Sequence, residues 1–225
     1  GASRFRQGLQ EYLNTYSYSN TTWDELINIL DRYAPEAHLK EFSEAWVKQK
    51  GMPTVTTQWN DGKLIITQSD PFKRGLTWQQ SFLVDAIYIN KVENDGAEQT
   101  RITTTTIPVD MQGVKKEIAL AKRPDYIVPN ADGSGYGLFV FDNFDNIPLP
   151  TDDLRRFALA MNMYENYLAH GIDAKSLSDT MHSWLKAENN ALIASQLVSY
   201  WGGAVSAMPD TDRHFQEQQM WQEYR

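Results

Sequence analysis

The sequence predicts an α+β, multidomain chain: a short helical segment, an Ig-like antiparallel β-sandwich, then an α-helical segment of antiparallel helix pairs. Three observations carry this. Apolar residues recur at helical spacing near both ends. Between them, over about residues 52–144, apolar and polar residues alternate. Turn sequences cut that middle stretch into about seven strands, the number a two-sheet sandwich uses. A chain of 225 residues is long enough for two or three modest units. The boundaries are placed at 1–50, 51–147 and 148–225.

The first zone opens on an amphipathic run, Phe5 to Leu13. Thr22-x-x-Glu25 then has the form of a capping box, with the hydroxyl and the carboxylate each reaching a free backbone N–H. Trp23, Leu26, Ile27 and Leu30 follow at helical spacing. A further helix should carry Leu39, Phe42, Trp46 and Val47 on one face, stopped by Gly51 and Pro53.

In the second zone Val55, Thr57 and Trp59 alternate with polar neighbours. Asn60-Asp61-Gly62 suits positive φ and predicts a hairpin into Leu64-Ile65-Ile66-Thr67. Gln79 to Asn90 alternates again, and Asn94-Asp95-Gly96 reads as another turn. The Thr-rich run from Glu98 to Ile107 suits a half-exposed strand. Val114–Leu120, Asp125–Val128 and Tyr136–Phe141 complete the set.

The third zone is helical. Thr151 is expected as an N-cap, with Asp152 and Asp153 in the first turn, where the helix dipole favours anions. Leu154, Phe157, Ala158, Met161, Tyr164 and Leu168 are expected on one face, with Gly171 as C-cap. Ser176-x-x-Asp179 is expected to open the next helix. A third spans 189–201 and stops at Gly202-Gly203. Residues 211–225 read as a polar helix. The chain has no initiator Met and enters an amphipathic helix at once, which leads to the expectation that it is part of a longer protein, truncated at both ends.

Composition narrows the function. The formal net charge is −8, and Lys and Arg form no basic stripe, which argues against nucleic-acid binding. No apolar run is long enough to span a bilayer as a helix. There is no cysteine, which removes disulfides, thiolate metal sites and cysteine catalysis together.

Several joints carry a resemblance. Phe5, Gly8, Leu9, Tyr12 and Leu13 are followed by Asn20, Thr21, Thr22 and Leu26. Then come Trp46, Gly51, Pro53 and Val55, then Ile66-Thr67-Gln68 with Trp78, and finally Pro129-Asn130 to Gly135-Tyr136 and Asp142. In this order they resemble the aminopeptidase N-like zinc metallopeptidases, from the end of the catalytic domain through the β-sandwich that follows it. Gly137 and Leu138 depart from that pattern, standing where the family often has Tyr-Arg. The resemblance covers nearly the first 145 residues. It implies that the parent enzyme removes N-terminal residues from peptides with zinc, and that this chain is a non-catalytic, post-catalytic fragment. Its partners would be the missing catalytic domain of the same chain and, for the parent, peptide substrates. Leu9, Tyr12, Leu13 and Tyr16 would face the missing domain and be exposed without it.

The family's zinc motif, H-E-x-x-H on a helix, does not occur. None of His38, His170, His182 and His214 is followed by Glu. Each is expected to be solvated or packed, and no catalytic, cofactor or metal residue is assigned. Zinc is implied only for the parent. Met163-Tyr164-Glu165-Asn166 is similar to the family's Gly-x-Met-Glu-Asn motif, but it falls mid-helix after the sandwich, so Glu165 is expected at the helix surface. The serine-elbow and P-loop patterns are absent from the sequence. Gly133-x-Gly135-x-Gly137 is followed by a strand rather than the helix that dinucleotide binding needs. The alternatives to a scaffold are a peptide- or glycan-binding β-sandwich using Trp59, Trp78, Tyr88 and Tyr126 as a platform, or part of a pseudo-enzyme.

Overall fold

A computed structural model describes residues 1–94 and 97–223. Its order is helices, strands, helices. The helices are α1 (Ala2–Thr15), α2 (Trp23–Tyr33), α3 (Leu39–Trp46), α4 (Asp153–Leu168), α5 (Ala174–Leu185), α6 (Ala191–Ser206) and α7 (Asp210–Glu223). The strands are β1 (Thr54–Asn60), β2 (Lys63–Ser69), β3 (Gln80–Asn94), β4 (Ala97–Met111), β5 (Lys115–Ala119), β6 (Tyr126–Val128) and β7 (Leu138–Val140).

The capping box forms as the sequence predicts. The Thr22 N–H donates to Glu25 Oε2 at 2.7 Å, and the Glu25 N–H donates to Thr22 Oγ1 at 3.4 Å. α1 buries little beyond Gly8, whose missing Cβ lets Leu30 and Tyr33 of α2 lie against it. Of the four residues expected to be exposed on α1 and just beyond, only Leu13 is open, at 63%. Leu9, Tyr12 and Tyr16 are half-buried. Phe42 and Val47, expected on the packed face of α3, are exposed. That helix is instead anchored through indole donors. Trp23 Nε1 donates to Ser43 Oγ at 2.7 Å, and Trp46 Nε1 donates to Gln79 O at 3.2 Å.

Two sheets form. One has strand order β5-β2-β1-β7 and the other β4-β3-β6. The first departs from an all-antiparallel arrangement, because β1 and β7 pair in parallel. Asp61 and Gly62 both take positive φ, which closes the β1–β2 hairpin in two residues. The expected turn at Asn94-Asp95-Gly96 lies at Asp95 and Gly96 outside the described residues. Alternation places successive side chains on opposite faces. Val55, Leu64 and Phe139 of one sheet share an apolar core with Phe82, Val84, Val109 and Ile127 of the other. Ile87 and Val128 point the other way, into a second core with Leu159, Met163, Leu177, Leu197 and Trp201 from α4, α5 and α6. The β4-β3-β6 sheet therefore separates two hydrophobic layers.

The helical zone corrects several expectations. The N-cap of α4 is Asp152, not Thr151, and its carboxylate accepts from the Arg155 N–H. α5 begins earlier, capped by Asp173, which accepts from the Ser176 N–H and hydroxyl. Those bonds hold the Asp173 carboxyl below its usual pKa. At the end of α4, His170 rather than Gly171 takes the left-handed conformation. α6 runs through Gly202-Gly203 to Ser206. Gly203 serves contact there: a Cβ would lie 2.9 Å from the Tyr164 hydroxyl.

Candidate functional site

Buried side-chain hydrogen bonds cluster where α4 meets the loop before β7. Asn130 takes a left-handed φ of 51°, tolerated by an Asn whose side chain bonds locally. Its Oδ1 accepts from the Gly135 N–H at 2.8 Å and its Nδ2 donates to Gly135 O at 3.1 Å, closing the loop on itself. Asp132 accepts from the Leu83 N–H of β3 and from the Ser134 hydroxyl. Burial pushes the Asp132 carboxyl up, but those hydrogen bonds outweigh it and leave the pKa lowered.

Two asparagines one helical turn apart on α4 read this loop. Asn162 Nδ2 donates to Pro129 O and Asn130 O, both at 3.2 Å. Asn166 Nδ2 donates to Phe139 O of β7 and to Asn162 O, both at 2.7 Å. Both side chains belong to residues only 3% exposed. Buried carbonyls need donors, and here a helix supplies them to Pro129 O of the loop and Phe139 O of the strand, while Asn130 O also accepts from the Gly133 N–H.

Ion pairs extend the junction. Arg155 of α4 pairs with Asp85 of β3, whose other oxygen accepts from Thr106 Oγ1 of β4 at 2.8 Å. Arg156 Nε donates to Glu188 Oε2 at 2.8 Å, and Glu188 Oε1 also accepts from the Asn189 and Asn190 N–H groups. The Glu188 side chain is 1% exposed. Its pKa is lowered, first by Arg156 and then by those backbone donors, against the opposing effect of burial.

Gly137 explains one departure in the sequence. It has φ of 152°, and a Cβ there would lie 2.6 Å from Pro53 O. The Leu138 N–H donates to that same carbonyl at 2.9 Å, starting the β1–β7 pairing. A side chain at 137 and this strand entry are incompatible.

Sequence reasoning missed the asparagine pair. The face expected on α4 contains Leu154 and Leu168, yet these are 59% and 53% exposed. The helix instead buries Leu159, Ala160, Asn162, Met163 and Asn166 beside Ala158. The i,i+4 spacing of Asn162 and Asn166 was the available signal. Glu165 lies between them, half-buried on α4, and its charge contributes to the raised pKa of Tyr200, behind burial. The four histidines stay apart. His38 and His214 lie beside Glu41 and Glu217 at the surface, His170 follows the C-cap of α4, and His182 stacks on Trp201. Among the described residues no group of three or more His, Asp or Glu side chains could hold a metal. Trp78 is fully buried and cannot join an aromatic platform with Trp59, Tyr88 and Tyr126. No described helix is long and apolar enough to cross a membrane.

No protein-family model matches the chain. Sequence relatives do. The probable aminopeptidase 2 of Sulfurisphaera tokodaii is 22% identical over 200 residues, covering 88% of this chain and 24% of the relative. The chain is similar, at low identity, to proteins named aminopeptidases. The tricorn protease-interacting factor F2 of Thermoplasma volcanium is 21% identical over 214 residues, covering 89% of this chain and 24% of its own length. Mouse aminopeptidase N is 34% identical over a shorter stretch of 67 residues, 27% of this chain and 7% of that protein. The chain thus spans about a quarter of the length of the curated relatives that match most of it.

Proposed function

We propose that the chain is a non-catalytic, post-catalytic part of an aminopeptidase N-like zinc enzyme. Residues 1–50 are then the helical tail of a thermolysin-like catalytic domain, 51–147 an Ig-like β-sandwich, and 148–225 the start of a C-terminal helical domain. The parent hydrolyses N-terminal residues from peptides, and the zinc it needs is held by residues outside this chain. The work of the chain is mechanical: it fixes the helical layer against the sheets, and through them against the catalytic domain.

The observation that carries this reading is the extent of the sequence relationship. A relative named a probable aminopeptidase and another named a tricorn protease-interacting factor each match nearly nine-tenths of this chain with about a quarter of their own length. The ordered joints from Phe5 to Asp142 support placing that quarter after the zinc site. The asparagine junction and the buried Arg156–Glu188 pair suit a scaffold, because they spend buried polar groups on position rather than on a pocket. The coding sequence upstream of Gly1 tests the placement. It is expected to contain H-E-x-x-H followed by a further Glu. A complete parent without that motif overturns the zinc-enzyme reading.

A further inference from the structure

The ladder directions of the β4-β3-β6 sheet show which backbone groups remain open. Leu83 O and Ile87 O accept from the β6 side, through the Ala131 and Asp125 N–H groups. The odd residues of β3 therefore face β6 and the even ones face β4. In the β3–β4 register Ala86 lies opposite Thr105 and Val84 opposite Ile107. The odd residues of β4 are thus bonded to β3, and the N–H and C=O groups of Thr100, Ile102, Thr104 and Thr106 point out of the sheet edge. Pro108 obeys the same parity, its missing N–H falling where no ladder bond is needed. β4 ends the sheet order, residues 98–106 are exposed throughout, and no described backbone group bonds that edge.

Beside the edge lies a cleft of about 390 Å³. Ile102, Thr104 and Thr106 line one wall, and the Pro148–Asp152 segment lines the other. Asp85, Asp152 and Arg155 form its polar part. Charge there is unbalanced. The lining holds two carboxylates, Asp85 and Asp152, against one cation, Arg155, whose pKa is raised mainly by its bond to Asp85. The Pro148-Leu149-Pro150 rim is apolar and stiff.

We infer that this edge and cleft bind an extended peptide segment by strand addition to β4, with a Lys or Arg side chain entering the acidic cleft. The open amides and carbonyls supply main-chain hydrogen bonds, and a residue every second position projects over the cleft wall. The excess of carboxylates selects a basic side chain over an acidic one. The proposal is independent of the parent's peptidase activity, because it uses no zinc and no residue upstream of Gly1.

The test is fluorescence anisotropy with labelled Thr/Val-rich peptides carrying a central Lys, a central Glu, or a central Lys with alternate amides N-methylated along one edge. The full 225-residue chain is used, beside a Thr104→Pro variant. Proline at 104 removes an outward N–H without taking a bond from the native ladder, and circular dichroism checks that the fold persists. Saturable binding of the Lys peptide is expected. Binding should weaken by about tenfold or more for the Glu peptide. It should be lost on N-methylation of one of the two peptide edges and in Thr104→Pro. If Thr104→Pro does not fold, the N-methylated peptides decide alone. Equal binding of both N-methylated forms, equal binding of the Glu peptide, no binding, or self-association of the chain through this edge in sedimentation would each overturn the proposal.

Discussion

Asn162→Leu is expected to lower the unfolding free energy by about 2–3 kcal/mol. Leucine keeps the branching but is bulkier and brings no donor, so Pro129 O loses this partner while Asn130 O keeps the Gly133 N–H. An unsatisfied buried acceptor costs its full desolvation, which exceeds the net worth of the bond. For a chain of this size the loss corresponds to a fall in Tm of roughly 5–10 °C. Glu165→Gln on the same helix is the control and should stay within about 0.5 kcal/mol. Thermal and urea unfolding of both variants decide it. If Asn162→Leu is neutral, or no worse than Glu165→Gln, the asparagine junction does not hold the helix to the loop.

Glu188→Ala should be at least as damaging, at about 3 kcal/mol. The pair it breaks is almost fully enclosed, with side-chain exposures of 13% for Arg156 and 1% for Glu188. Removing the carboxylate strands the guanidinium and also uncaps the Asn189 and Asn190 N–H groups at the turn into α6. Arg156 keeps Thr151 O and Asp153 as acceptors, which limits the loss. The sign of the pH dependence follows from the lowered pKa. The folded state binds the Glu188 proton less readily than the unfolded chain, so this contribution is full above the unfolded carboxylate pKa. It disappears as pH falls through the folded value. The stability difference between native chain and variant should therefore shrink on acidification. Urea midpoints across neutral to acidic pH measure it, and a gap that widens in acid would contradict the assignment.

The parts of the fold that the sequence made legible are those fixed by local chemistry. Thr22 and Glu25 satisfy each other within one turn, and Asp61-Gly62 adopts positive φ wherever two strands must reverse in two residues. What failed depended on distant partners. Asn162 and Asn166 look like surface residues until the carbonyls of Pro129 and Phe139, some thirty positions away, are brought against them. Leu154 and Leu168 look buried for the converse reason. Gly202-Gly203 reads as a helix stop, yet Tyr164 needs the room that Gly203 leaves. Gly137 looked like an arbitrary departure from a family pattern until Pro53 O lay where its side chain would be. The parallel β1–β7 pair was invisible for the same reason, since alternation within a strand carries no sign of its neighbour's direction.

The scaffold account stands or falls on where zinc and hydrolysis reside. The direct measurement is metal content by mass spectrometry, together with release of N-terminal residues from peptides, for the 225-residue chain and for the longer parent. The account predicts stoichiometric zinc and chelator-sensitive activity in the parent, and neither in the chain alone. Stoichiometric zinc linked to peptide hydrolysis in the chain alone would contradict it.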